Sequence, residues 1–93
     1  MALVFTRHAR KRILERGIRI DEVHDATDAP TVVEEYPDDE PYPSRLVMGW
    51  VGGRQLHLVL AGPTVAGDTI VVTLYEPDLG RWEPGFARRR TKS

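Results

Sequence analysis

The sequence predicts an α+β domain in which two short helices come first and cover one face of an antiparallel sheet. Three observations lead to this fold class. A basic segment with a capping residue at each end opens the chain, strand-like segments with alternating apolar residues follow, and a Gly-Gly pair separates two of them. Because the chain has 93 residues, of which 41% are apolar, we expect a single domain over residues 1–93 with one modest core.

The helical part is predicted to fill residues 6–29, after an edge strand within residues 1–5. Thr6 can cap the first helix, because its hydroxyl can accept a hydrogen bond from a free backbone N–H. Gly17 supplies the left-handed conformation that commonly ends a helix. Asp21 is the predicted N-cap of the second helix.

The sheet is predicted over residues 31–75 as a meander of four antiparallel strands. Gly52-Gly53 predicts a two-residue hairpin between the second and third of these strands, since glycine tolerates positive φ. Residues 76–87 should form a turn or a short helix, and residues 88–93 a disordered basic tail.

Alternation gives the last two strands one aliphatic and one mixed side. The residues expected to face the helices are Leu56, Leu58, Leu60, Ile70, Val72 and Leu74. The side without helices then carries His57 on one strand, and Val71, Thr73 and Tyr75 on the next. An imidazole with two neighbouring hydroxyls can hydrogen-bond a phosphate or move a proton, although a half-exposed sheet also shows such a polar face by default.

Composition excludes several kinds of site. The chain has no cysteine, which excludes disulfides, thiolate nucleophiles and cysteine metal sites. The three histidines lack the spacing of metal ligands, so we expect neither a metal nor a cofactor. No segment approaches the roughly 20 apolar residues of a membrane helix, and no signal segment is evident. We therefore expect a cytoplasmic protein without membrane partners.

The net charge of −1 hides a separation of charge along the chain. Residues 7–19 contain six Lys or Arg and one acid, whereas residues 21–41 contain nine Asp or Glu and no Lys or Arg. Such a layout can attract an anion to one end of the molecule and repel it from the other.

The first helix carries the clearest candidate site. His8, Arg12 and Arg16 recur every four residues, so they form a row along one flank of the helix. An imidazole suits proton transfer at neutral pH, and guanidinium groups bind phosphate. The row could therefore hold and cleave a phosphate ester, or it could be an ordinary solvated face.

The chain also resembles a known family. The motifs that carry the resemblance are His8-Ala9, Arg12, Glu15-Arg16-Gly17-Ile18, Tyr36-Pro37, Tyr42-Pro43-Ser44, Leu56-His57 and Thr73-Leu74-Tyr75-Glu76-Pro77, with Trp82. Through them the chain is similar, over nearly its whole length, to the small bacterial and archaeal proteins of the domain of unknown function DUF4258.

This resemblance implies the fold of the RelE/ParE toxins and the activity of a ribonuclease from a type II toxin–antitoxin system. It implies RNA as the substrate, free or ribosome-associated, and a small antitoxin protein as the partner. The implied catalytic residues are His8, Arg12, Arg16, His57 and Tyr75. The implied substrate-binding residues are Arg7, Lys11 and Thr73. A metal-independent endoribonuclease of the mRNA-interferase kind would use a histidine as base or acid, arginines on the phosphate and a tyrosine on the leaving group.

Two alternatives stay open. A non-catalytic toxin would use the same basic helix to dock on a protein target, as the gyrase-directed members of that superfamily do. A regulatory module would instead bind a basic partner through its acidic loop, Asp38, Asp39 and Glu40.

Overall fold

Two helices and a five-stranded sheet make up the computed structural model, which describes residues 2–51 and 53–77. In chain order the elements are β1 (Leu3–Phe5), α1 (Arg7–Arg16), α2 (Ile20–Asp28), β2 (Thr31–Tyr36), β3 (Ser44–Val51), β4 (Arg54–Ala61) and β5 (Thr69–Tyr75). The predicted α+β class and the four antiparallel strands are confirmed. The turn or short helix predicted over residues 76–87 lies outside the described residues from residue 78 onward, and so does the predicted disordered tail.

The sheet has the strand order β1-β5-β4-β3-β2. Strands β2 to β5 pair antiparallel with their neighbours in sequence, as alternation and turn signals predicted. The predicted edge strand β1 lies beside β5 and runs parallel to it, with Leu3 opposite Thr69 and Phe5 opposite Val71. The sheet is therefore mixed, and its first and last strands along the chain are neighbours.

Both helices pack on one face of the sheet, which we call the helix face. Helix α1 contacts β5 and β1, and α2 contacts β3. The buried cluster between the layers consists of Ala9, Ile13, Ile18, Val23, Ala26, Val47, Leu56, Leu58, Leu60, Val71 and Leu74. The two layers approach closely at Gly49, where a Cβ would lie 2.5 Å from the Ala26 carbonyl oxygen. Gly49 pairs with Leu56, which assigns the leucines of β4 to the helix face.

The ends of α1 are those the sequence predicts. Thr6 is the N-cap, and its hydroxyl oxygen accepts a hydrogen bond from the Ala9 N–H at 3.0 Å. The same hydroxyl donates to the Val72 carbonyl oxygen at 2.7 Å, which ties the helix to β5. Gly17 ends the helix in the left-handed conformation, with φ of 62°.

The predicted N-cap of α2 is wrong by two residues. The helix begins at Ile20, and Arg19 takes the N-cap position that Asp21 was expected to hold. Arginine has no short side-chain acceptor, but Glu22 Oε1 accepts a hydrogen bond from the Arg19 backbone N–H at 2.9 Å. The Glu22 carboxylate thereby satisfies the backbone N–H of the N-cap residue, which the side chain of the N-cap residue does not itself reach.

A β-bulge corrects the predicted faces of β5. The register between β4 and β5 shifts between Val59 and Leu60, so that Leu60 pairs with Val71. Val71 is therefore fully buried in the core on the helix face, where Val72 had been expected. Ile70 and Val72 instead line a cavity on the other side, together with Val59 and Ala61 of β4.

Candidate functional site

Three side chains with phosphate-binding chemistry follow one another along α1: His8, Arg12 and Arg16, which we call the α1 row. His8 and Arg16 are exposed, and the Arg12 side chain keeps 38% of its surface accessible. Successive members lie about 6 Å apart along the helix axis, because four residues advance an α-helix by that distance. The row is thus an accessible strip with one imidazole and two guanidinium groups.

The contacts around the α1 row are weak. Arg12 Nη1 and Lys11 Nζ each lie 3.9 Å from an oxygen of Glu15. Exposed ion pairs of this kind contribute about 0–1 kcal/mol and give way readily to a competing anion. Within residues 2–51 and 53–77, the His8 side chain makes no hydrogen bond or ion pair. Since Arg7 is also exposed, the surface of α1 is strongly electropositive and open to solvent.

An arginine from β4 holds the far end of α1. Arg54 Nη1 donates to the backbone carbonyl of Arg16 at 3.5 Å and lies 3.2 Å from Glu76 Oε1. A cation beside the last carbonyl groups of a helix is favourable because those groups carry a partial negative charge. These contacts fix the end of the α1 row relative to the end of β5. Arg54 and Arg16 are 38 residues apart in the sequence, so no local pattern could predict their contact.

The second candidate group lies on the sheet face opposite the helices, which we call the open face because neither α1 nor α2 covers it. His57 pairs with Tyr75 across β4 and β5, and its Nδ1 lies 3.3 Å from the Tyr75 hydroxyl oxygen. The two rings meet edge to face, with centroids 5.4 Å apart. Thr73 faces the same way and is opposite Val59. His57 is fully buried, whereas Tyr75 and Thr73 keep part of their surface exposed.

The α1 row and the His57–Tyr75 pair do not form one site. Ala9 and Ile13 anchor α1 in the same cluster as Leu56 and Leu58. His57 stands between those two leucines in β4 and therefore points to the opposite side of the sheet. The two groups that the sequence combined in one catalytic set are consequently separated by the sheet itself.

Another polar pair, which was not predicted from the sequence, lies on the open face. The Tyr36 hydroxyl donates to Glu34 Oε2 at 2.7 Å. Glu34 pairs with Leu46, which in turn pairs with Val59, so the carboxylate lies on the same face as His57. The signal available was the spacing of Glu34 and Tyr36, since residues two apart in a strand share a face.

Resolved pKa shifts within the described residues occur at the start of α2. A hydrogen-bonded ion pair joins the guanidinium of Arg19 to the carboxylate of Asp21, with Nε 3.0 Å from Oδ1. The hydrogen bonds from Arg19 lower the pKa of Asp21, and the same bonds raise the pKa of Arg19. Elsewhere in the described part, no three His, Cys, Asp or Glu side chains gather into a group that could hold a metal ion.

Comparison with known proteins gives one family. Residues 5–76 match the sequence model of the domain of unknown function DUF4258. The chain belongs to the DUF4258 family. The match runs from the last residue of β1 to the residue after β5 and therefore includes the α1 row, the open face and strands β2 to β5.

The other comparisons are negative. No curated protein and no solved structure is similar enough to this DUF4258 protein to be matched with it. Among the described residues, neither helix has the length and apolar character needed to cross a membrane.

Proposed function

We propose that this DUF4258 protein is a toxin-like endoribonuclease that works without a metal ion, resembles the RelE/ParE toxins in architecture and is held inactive by a small antitoxin. The observation that carries the proposal is the α1 row. One exposed imidazole and two guanidinium groups stand one helical turn apart on an electropositive helix. This arrangement offers a proton acceptor beside groups that bind and stabilise a phosphate.

Each residue of the row receives a role in the proposal. Cleavage of RNA begins when the ribose 2′-oxygen attacks the adjacent phosphorus, and His8 would take the proton from that hydroxyl. Arg12 and Arg16 would bind the phosphate and stabilise the negative charge that grows on its oxygens. Arg7 and Lys11 would hold neighbouring phosphates through charge alone. The departing 5′-oxygen must gain a proton, from His8 after its protonation or from water.

We assign His57, Tyr75 and Thr73 a supporting role. The His57 ring is fully buried, so a substrate cannot touch it while the sheet is intact. Its contact with the Tyr75 hydroxyl joins β4 to β5, and β5 is the strand on which α1 lies. In this proposal the pair stabilises the platform beneath α1 and takes no part in proton transfer.

Purified protein and a fluorescent single-stranded RNA provide the direct test, with EDTA present throughout. We expect His8→Gln to lower the cleavage rate by about 10²–10⁴-fold, the usual contribution of a general base. His24→Gln is the matched control, because His24 is an exposed histidine on the other helix. Circular dichroism and thermal unfolding should be unchanged in both variants.

The outcomes separate catalysis from binding. Equal cleavage by the parent and His8→Gln would refute the catalytic role of the α1 row. Intact RNA together with growth arrest on expression would refute the nuclease and favour a toxin that binds a target. Unaffected growth and intact RNA would refute both forms of toxin.

One observation favours the non-catalytic alternative. Within the described residues nothing hydrogen-bonds the His8 imidazole, whereas a catalytic base is usually oriented by a neighbouring group. In this second proposal the α1 row docks on a protein target, and Arg12→Ala and Arg16→Ala abolish toxicity while His8→Gln does not.

A further inference from the structure

An apolar groove lies beside α1 and is separate from the α1 row. Its volume is about 690 Å³. The residues lining it are Phe5, Arg10, Ile13, Leu14, Ile18, Arg19 and Ile20. They come from β1, from α1, from the segment between the helices and from the first residue of α2. The α1 row contributes none of them, so the groove is a second feature of the same helix.

Large apolar side chains at this groove face water. Leu14, in the last turn of α1, is 82% exposed, and Ile20, at the start of α2, is 46% exposed. Single exposed apolar residues are ordinary, but here two of them border one concave apolar surface. Covering such a surface removes it from water at a gain of about 25 cal/mol for each Å². The groove therefore has the properties of a docking surface.

Cationic side chains border the groove. Among the described residues no carboxylate lines it; of its two lining arginines, Arg19 is hydrogen-bonded to the Asp21 carboxylate. Arg10 is exposed and has no ion pair within residues 2–51 and 53–77. Arg7 and Lys11 lie on the same side of α1 as Leu14, because they precede it by seven and three residues. A binding partner with apolar side chains would match the groove, and acidic side chains beside them would match the cations at its border.

We propose that this groove binds an acidic amphipathic helix of another protein, with apolar side chains of the partner seated between Leu14, Ile18 and Ile20. Helices that bind in grooves use anchors spaced by three, four and seven residues, and their polar face then meets the border of the groove. Carboxylates flanking those anchors would pair with Arg10, Arg7 and Lys11. If the toxin proposal holds, this partner is the antitoxin, but the docking surface itself does not depend on nuclease activity.

A second copy of this chain does not offer such a helix from its described residues. The acidic helix of the chain is α2, which contains Asp21, Glu22, Asp25 and Asp28. The apolar side chains of α2 that would serve as anchors, Val23 and Ala26, are already buried in the core of the same molecule. The other helix, α1, is cationic and would be repelled.

The test uses the full-length protein and three synthetic 18-residue peptides. The first places Leu and Ile at helical spacing with Glu on its polar face, the second is a scrambled sequence of the same composition, and the third replaces every Glu with Lys. Fluorescence anisotropy measures binding, and ¹H–¹⁵N spectra locate it. We expect only the first peptide to bind, with shifts concentrated in residues 5–20.

Two variants sharpen this test. Leu14→Glu and Arg10→Glu should each weaken binding of the acidic peptide at least 10-fold, because one removes an apolar contact and both add repulsion. Val65→Glu is the matched control, since Val65 is 99% exposed and does not line the groove. All three positions are on the surface, so the folded state should survive.

Several outcomes would overturn the inference. Equal binding of the scrambled or the Lys peptide, or unchanged binding in Leu14→Glu, would remove the groove as a specific site. A dimer in sedimentation that Leu14→Glu dissociates would make a second copy the occupant. Peptide binding without RNA cleavage would support the groove while refuting the nuclease, so the two proposals can fail separately.

Discussion

At the scale of single residues, Gly49 shows how closely the layers approach. Its sequence context, between Met48 and Trp50, predicts a strand but gives no reason for a glycine. The reason is long-range: the backbone of Ala26 occupies the space where a Cβ would project. Glycine within a strand often marks such an approach, yet the partner can be named only from the fold.

We expect Gly49→Ala to destabilise the protein by about 1–3 kcal/mol, because the added methyl group overpacks the contact with α2. Urea unfolding followed by circular dichroism measures the change. Val65→Ala is the control and should stay within about 0.5 kcal/mol of the parent, as Val65 is almost wholly exposed. Wild-type stability in Gly49→Ala would mean that α2 can move away from β3 at no cost.

The contact between His57 and Tyr75 leads to a second prediction at this scale. Tyr75→Phe should lower the free energy of unfolding by about 0.5–1.5 kcal/mol, the usual range for one hydrogen bond. Tyr42→Phe is a matched control, because the Tyr42 hydroxyl has no hydrogen bond within the described residues. If the two variants are equally stable, the hydroxyl beside His57 contributes nothing to folding.

At the scale of elements, local signals located nearly every helix and strand. The bounds of β2, β3, β4 and β5 follow from alternation and from the prolines and glycines between strands. The start of α2 did not follow, because the capping rule favours Asp21 over Arg19. In the structure the N-cap side chain makes no capping hydrogen bond, and the Glu22 carboxylate instead accepts from the backbone N–H of Arg19, which is a different donor from those that the rule considers.

Thr6 joins α1 to β5, and its removal should loosen that junction. We expect Thr6→Ala to cost about 1–2 kcal/mol of stability, since it deletes the helix cap and the bond to the Val72 carbonyl. Thr6→Ser keeps the hydroxyl and should retain most of the stability. Thermal unfolding of the two variants provides the comparison, and equal losses would show that the methyl group, not the hydroxyl, matters.

The start of α2 should show a pH-dependent contribution. Hydrogen bonds from Arg19 lower the pKa of Asp21 in the folded state below its ordinary value of 3.8. The ionised carboxylate therefore stabilises the fold above the unfolded-state pKa, and this contribution disappears as the pH falls through the lowered value. Carbon-detected NMR titration should show the pKa of Asp21 rising in Arg19→Gln and unchanged in Arg10→Gln. An unshifted Asp21 in Arg19→Gln would contradict the assigned cause.

At the scale of the whole molecule, the sequence predicted a helical layer on a sheet, but it did not predict all of the residues that face the helices or which candidate residues share one side of the sheet. Leu56 and Leu58 were placed correctly because alternation is a local property of β4. The bulge exchanged the positions of Val71 and Val72, and no local rule marks a bulge between two aliphatic strands. The separation of His8 from His57 likewise depends on which face the helices cover.

Charge separation leads to a prediction about the whole surface. If RNA lies along α1, the logarithm of the association constant should fall linearly with the logarithm of salt concentration. Arg12→Gln should then reduce the slope by about one, since one phosphate contact is lost. Arg45→Gln, on β3, should leave the slope unchanged. Identical slopes for both variants would move RNA binding away from the α1 row.

The parallel pairing of β1 with β5 has a consequence for the order of events during synthesis. Leu3 and Thr69 are partners although 66 residues separate them, so β1 cannot pair until nearly the whole sheet has been made. The β3–β4 hairpin, in which Val51 pairs with Arg54, can form much earlier because partners so near in sequence are easily brought together. Phe5 reaches its final position only when β1 does. If the proposed partner needs the groove with Phe5 in place, it can bind only after β5 has been made and has paired with β1.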